Sequence, residues 1–234
     1  MRQRFCLALP ESKGAYMSTM GSIVTISPRD FDAVLFDLDG VLTQTASVHA
    51  SAWKQLFDAF LQERAYRMGE PFTPFDIEAD YRRYVDGKPR YDGVESFLES
   101  RGIKLPVGEP GEKAGTQSVR ALGKLKDQYF MEHLNKQGVA TYDPAIALVK
   151  TLRAQEIKTA VVSSSNNCAA VLEAAGISHL FDARVDGREI ERMGLKGKPA
   201  PDAFLEAAQR LRVEPSRTIV VEDAIAGVAA GRAG

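Results

Sequence analysis

The chain has 234 residues, with 30 basic against 31 acidic side chains and a formal charge of −1 at pH 7. That balance leaves no electrostatic footprint for nucleic acid or an anionic membrane surface. The length suits one sizeable core plus a smaller module, and two cysteines, Cys6 and Cys168, are too few for a disulfide scaffold and lack metal-ligand spacing.

Residues 1–30 are mixed, contain Gly14, Gly21 and Pro28, and read as a loose leader, with Met17 and Met20 as further candidate starts. The apolar run Leu7-Ala8-Leu9 is broken by Pro10, Glu11 and Lys13, which is too short for a signal-peptide core. No stretch has the length of a transmembrane helix, so a soluble, cytoplasmic protein is expected. Ala33–Phe36 then runs straight into Asp37-Leu38-Asp39-Gly40. A short apolar run closed by a turn signal predicts a fully buried parallel strand. Val48, Ala52, Leu56, Ala59 and Phe60 recur at helical spacing, and Trp53 and Phe57 widen the same face. A charged, aromatic stretch from Glu63 to Tyr84 is interrupted by Gly69, Pro71 and Pro74. The loop from Asp86 to Gly93 leads into a helix through Val94, Phe97 and Leu98. A loop rich in glycine and proline covers residues 105–116, and a further helix is predicted from Ser118 to Lys136. Residues 45–139 therefore form an inserted helical module without a strand.

From Tyr142 onwards helix and strand alternate. Ala145, Leu148, Val149 and Leu152 mark a helix. Thr159–Val162 is a strand ending in Ser163-Ser164-Ser165-Asn166-Asn167, and a helix from Ala169 to Ala175 follows, closed by Gly176. Ala183–Val185 is a weaker strand. Lys198-Pro199 precedes a helix from Ala203 to Leu211, Thr218–Val221 is a third strong strand ending in Glu222-Asp223, and a helix occupies Ala224 to Ala233. This alternation predicts a parallel α/β core made of residues 31–44 and 140–234. The last helix should feed another strand, so the core reads as truncated at its C-terminus, with an exposed sheet edge.

The chemistry lies at the strand ends. In an open parallel sheet ligands bind beyond the carboxyl ends of the strands. Asp37 and Asp39, two residues apart, leave the first strand on one side. Two carboxylates that close need a proton on one or a cation between them; an ordinary aspartate-rich turn is the alternative. If the strand ends meet, Ser163, Lys198, Glu222 and Asp223 join them. Hard oxygen donors in that number suit Mg²⁺, while a serine and a lysine can hold phosphoryl oxygens.

Taken together, Asp37-Leu38-Asp39-Gly40-Val41-Leu42, Ser163 after an apolar run, Lys198-Pro199 and Glu222-Asp223 resemble the haloacid dehalogenase-like superfamily. Thr43, Thr45, His49 and Trp53, with Lys198-Pro199-Ala200-Pro201-Asp202, are similar to its β-phosphoglucomutase-like branch. The resemblance implies a Rossmann-like parallel sheet core with an inserted α-helical cap of the C1 type. It also implies Mg²⁺-dependent phosphoryl transfer on a sugar phosphate. Asp37 would be the nucleophile and Asp39 the general acid and base. Asp37, Glu222, Asp223 and the Asp39 main-chain carbonyl would hold the metal, while Ser163 and Lys198 would grip the transferring phosphoryl group. Arg90, in Gly87-Lys88-Pro89-Arg90, would hold the substrate's other phosphate. Lys126 would be a second cap contact, with Lys124 a rival because Gly123-Lys124-Leu125-Lys126-Asp127 departs from the Arg-Lys-Asn pattern of the branch. His49 and Trp53 would lie near the cap hinge. A mutase is the expected activity. A phosphatase with water as acceptor, or an inactive fragment or module of a larger polypeptide, are the alternatives. The expected partner is a small sugar phosphate, acting on a monomer.

Overall fold

The computed structural model describes residues 6–8 and 26–234. Its strands are β1 (Cys6–Ala8), β2 (Ala33–Phe36), β3 (Lys158–Val162), β4 (Ala183–Val185) and β5 (Thr218–Glu222). All pairings are parallel, in the order β1-β5-β2-β3-β4. Around this sheet lie α4 (Asp143–Ala154), α5 (Cys168–Ala174), α6 (Gly187–Met193), α7 (Asp202–Leu211) and α8 (Ile225–Ala233). Successive strand residues point to opposite faces. Val34 and Phe36 accordingly pack with Val149, Leu152 and Leu172. Ala33 and Leu35 pack with Phe204, Ala207 and Leu211 on the other side. With both faces covered, every residue of β2 is buried, which is why the strand is a continuous apolar run.

Between β2 and α4 the chain builds α1 (Ala46–Met68), α2 (Arg90–Ser100) and α3 (Val119–Gln137). These helices enclose a separate apolar cluster that includes Trp53, Phe57, Phe60, Phe75, Val94, Phe97 and Leu122. The Phe57 and Phe97 rings meet at 4.0 Å between centroids. Among the described residues of this stretch there is no strand; Thr43 makes only isolated bridges to Asp39 and Thr141 at its base.

The structure departs from the sequence reading at several points. The leader was expected to be loose, yet Cys6–Ala8 form a strand along β5; leader residues 1–5 and 9–25, Met17 and Met20 among them, lie outside those described. Among the described residues β5 is consequently flanked on both sides, by β1 and β2, where an exposed edge was expected. Helix α1 runs through Glu63 to Met68 and stops at Gly69, whose φ of 68° suits a left-handed cap. A π-helical turn, Tyr81–Val85, closes with the Asp86 N–H donating to the Tyr81 carbonyl at 2.9 Å. Helix α6 was not anticipated. Its signal is local: Asp186 caps the free N–H groups of Arg188 and Glu189 at 3.1 Å each.

Candidate active site

Register brings the polar groups together. Phe36 is level with Val161 on β3 and with Val221 on β5. One residue further on, Asp37 stands level with Val162 and Glu222, and Ser163 follows immediately. The chain moves from β2 to β3 and β4 on one side, then returns to β5 on the other, so β2 ends at the point where strand order reverses. Ligands of open α/β sheets bind at such a point.

Asp37 is buried, and its Oδ1 accepts a hydrogen bond of 2.6 Å from Lys198 Nζ. The same ammonium donates to Glu222 Oε1 and, at 3.3 Å, to the Val162 carbonyl. Glu222 Oε2 takes the N–H groups of Asp223 and Ala224, at 3.0 Å each. Glu222 thus anchors the lysine and the turn after β5 together. Burial pushes the Asp37 carboxyl up, and Lys198 opposes that shift while Glu222, Asp39 and Asp223 reinforce it. Lys198 is raised despite its burial, because two carboxylates hold its proton. Asp223 reaches about 7, through withdrawal from bulk water first and then the charges of Glu222 and Asp86, although the residue as a whole is exposed.

One oxygen from each of Asp37, Glu222 and Asp223 lies within 4.8 Å of the others. The Lys198 ammonium reaches only Asp37 and Glu222, and the carboxyls of Asp37 and Asp223 are pushed toward protonation. That donor set and charge deficit fit a hard divalent cation. Gly40 permits the arrangement: at φ 90° its Cα faces the Asp223 carboxylate, and a side chain there would overlap it.

Asp39 turns away from this group. Its Oδ1 accepts from Thr45 Oγ1 and lies 3.3 Å from His49 Nε2. Thr45 is itself held by Thr43 at 2.7 Å. Burial alone would raise the Asp39 carboxyl, but His49, Thr45 and Lys126 outweigh it and hold the carboxyl below the usual range. Lys126 Nζ approaches His49 Nδ1 at 2.6 Å. A charged lysine donating there leaves the imidazole proton on Nε2, the nitrogen 3.3 Å from Asp39 Oδ1. Burial and the Lys126 charge lower the His49 pKa, which keeps the ring neutral. The ring stacks on Phe130 at 4.1 Å, and Lys126 sits over Trp53 at 5.1 Å, so Trp53 serves both the apolar cluster and the cleft wall.

Burial, then the nearby Arg90 charge, brings the Lys126 pKa down to about 7. The lysine is therefore charged below that pH and loses its charge above it. Affinity for a phosphate monoester should weaken up to about tenfold between roughly pH 6 and pH 8, and Lys126→Arg, which stays charged, should flatten that dependence. Titration calorimetry across this range checks it; an identical slope in the variant would exclude Lys126 as its source.

The cleft above Asp37 is open to solvent. Of the residues singled out in the sequence, Asp37, Asp39, His49, Trp53, Arg90, Lys126 and Ser163 line it. Lys198 and Glu222 lie beneath it as buried support, and Asp223 joins the acidic group at its edge. Lys124 does not line it; its ammonium donates to the carbonyls of Pro110 and Glu112. The sequence reading missed Tyr81, Asp86 and the run Ser164–Asn167, which also line the cleft. Asp86 is shifted up to about 6 by burial, against a hydrogen bond from Tyr81. The polar run after β3 was visible as a cluster, but only Ser163 was drawn from it.

A parallel α/β core with a carboxylate pair at its switch point, a buried lysine against one carboxylate and a helical module overhead define a phosphoryl-transfer enzyme. A family model for haloacid dehalogenase-like hydrolases matches residues 31–234, and the chain belongs to that family. It is 48% identical over 207 residues to a β-phosphoglucomutase of Mycobacterium bovis, covering 88% of this chain and 79% of that one. It is 29% identical to the fructose-1-phosphate phosphatase YqaB of Escherichia coli, covering 87% and 92% of the two chains. A crystal structure of β-phosphoglucomutase from Clostridium difficile superimposes with a TM-score of 0.67 at 27% identity, covering 86% of this chain and 80% of that one. Among the described residues no helix is long and apolar enough to cross a membrane.

Proposed function

We propose that the protein moves a phosphoryl group on a hexose phosphate through an aspartyl-phosphate at Asp37. We assign it β-phosphoglucomutase activity, interconverting β-glucose 1-phosphate and glucose 6-phosphate. The observation that carries this reading is the separation of two neighbouring carboxylates. Asp37 lies against Lys198 at the sheet end, while Asp39 turns toward Thr45 and His49 beneath the helical module.

In this reading an Asp37 oxygen forms a bond to phosphorus as the ester P–O bond breaks, and Asp39 gives its proton to the departing oxygen. On return, Asp39 takes the proton of the sugar hydroxyl that attacks the aspartyl-phosphate, whose acyl P–O bond then breaks. A carboxylate nucleophile needs its target's charge neutralised more than it needs activation. Lys198 supplies a fixed cation for that purpose, and Ser163 a hydroxyl at the next strand end. Asp37 and Asp223, supported by Glu222 and the Asp39 main-chain carbonyl, would hold Mg²⁺. That ion would neutralise charge on the phosphoryl oxygens. Residues 45–139 act as the cap, and Arg90 holds the phosphate that is not transferred, as its planar fork allows.

A phosphatase shares the first half of this chemistry and uses water as final acceptor; the likeness to a fructose-1-phosphate phosphatase keeps that reading in view. An assay with β-glucose 1-phosphate and a hexose bisphosphate activator separates the two. Glucose 6-phosphate as product supports the mutase, and inorganic phosphate alone overturns it. Arg90→Ala should reduce mutase turnover about 10²-fold or more and hydrolysis of a small generic ester far less, because only the mutase must anchor two phosphates. Equal losses would remove Arg90 from that role.

A further inference from the structure

Asp127 stands one residue beyond Lys126 on α3 and faces a different pair of partners. Its Oδ1 accepts from Arg90 Nη2 at 2.7 Å and from Asn167 Nδ2, also at 2.7 Å. Arg90 is the first residue of α2, and Asn167 is the residue preceding α5 in the sheet domain. One carboxylate oxygen therefore ties two cap helices to the core. The Arg90 side chain is 13% exposed and that of Asp127 34%, so the ion pair lies at the cleft wall, partly shielded from solvent.

The Arg90–Asp127 pair lies within the cap, and the Asn167 bond carries it across the seam to the core. Two further contacts mark the same seam: Ser164 Oγ donates to the Gly87 carbonyl at 2.8 Å, and a side chain at Gly197 would run into Pro89. A guanidinium presents five N–H donors in a rigid fork. Fixing one arm on Asp127 sets the direction of the rest. The amide of Asn167 keeps a second N–H after donating to the same oxygen. Arg90 and Asn167 both line the cleft.

We propose that Asp127 is a positioning residue that holds Arg90 of the cap and Asn167 of the core in one arrangement, so that both present their remaining N–H groups to the same end of the cleft. The inference rests on the reading of Arg90 as the anchor for the substrate's non-reacting phosphate. A charged acceptor suits the task, since a charge-assisted bond to one oxygen holds guanidinium and amide more firmly than a neutral acceptor.

A double-mutant cycle on ligand binding tests it, with glucose 6-phosphate as probe and calorimetry as readout. Asp127→Ala should raise the dissociation constant about tenfold, and Arg90→Ala by at least as much. The double variant should bind more tightly than the product of the two losses predicts, because Asp127 acts largely through Arg90 and only in part through Asn167. Asp127→Asn, which still accepts hydrogen bonds, should recover part of the loss, a rescue that a general packing defect would not give. Tighter binding in Asp127→Ala would overturn the proposal by making Asp127 a competitor for the anion site, and multiplicative losses in the double variant would overturn it by making the residues independent. Failure of the native protein to isomerise β-glucose 1-phosphate would sink the mutase assignment while leaving this cycle readable.

Discussion

Asp37→Asn should abolish turnover, by about 10⁴-fold or more, while the protein still folds and melts cooperatively. The amide has the shape of the carboxylate and keeps an oxygen for the Lys198 contact, which is 2.6 Å in the native site. It cannot form an acyl phosphate. The fold should tolerate the change, since Asp37 sits among Glu222, Asp39 and Asp223, whose charges disfavour its ionised form. Removing one negative charge there relieves repulsion, and Lys198 retains Glu222 as partner. Two measurements decide the matter: steady-state turnover, and mass spectrometry of the protein after exposure to a small phosphoryl donor. Residual turnover within tenfold of native, or a phosphorylated protein in the variant, would move the nucleophile elsewhere.

The strands that carry the site were legible because burial on both faces forces a continuous apolar run. Ala33–Phe36 and Ala183–Val185 occupy the spans read from the sequence, and the strand around Thr159–Val162 gains only Lys158. The polar residue that ends each run then marks the sheet edge. Lys198, 161 residues from Asp37 along the chain, was reachable only through the motif in which it sits. What stayed hidden depends on facing. Lys124 and Lys126 are two apart on one helix and so point in different directions. Nothing local says which direction holds the cleft, and the structure gives it to Lys126. Asp127 reads in sequence as a solvated charge next to a candidate lysine. Its meaning comes from Arg90 and Asn167, brought in from 37 and 40 residues away. The π-helical turn at Tyr81–Val85, which sets Tyr81 and Asp86 on the cleft wall, has no periodic signature at all in so short a segment.

Asp39→Asn should separate the two halves of the reaction. The substitution keeps an oxygen for Thr45 and leaves the Lys126–His49 contact and the His49 stack on Phe130 in place, so the cleft keeps its shape. What is lost is a group that can carry a proton between enzyme and sugar oxygen. Turnover of a hexose phosphate should fall about 10²- to 10⁴-fold, the usual worth of a positioned general acid or base. A phosphoryl donor with a good leaving group needs no proton in the first step, so Asp37 should still be phosphorylated by it at a readily measured rate. Thr45, His49 and Lys126 hold the Asp39 carboxyl below its usual range, against burial, which favours the ionised form that takes the proton of an attacking sugar hydroxyl. The variant should accordingly accumulate the aspartyl-phosphate, because the hydroxyl that would discharge it is no longer deprotonated. Rapid-quench measurement of phosphorylated protein distinguishes the outcomes. Equal losses with the activated donor and with the sugar phosphate would mean that Asp39 is needed to place the phosphoryl group, and the division of labour between the two carboxylates would fall.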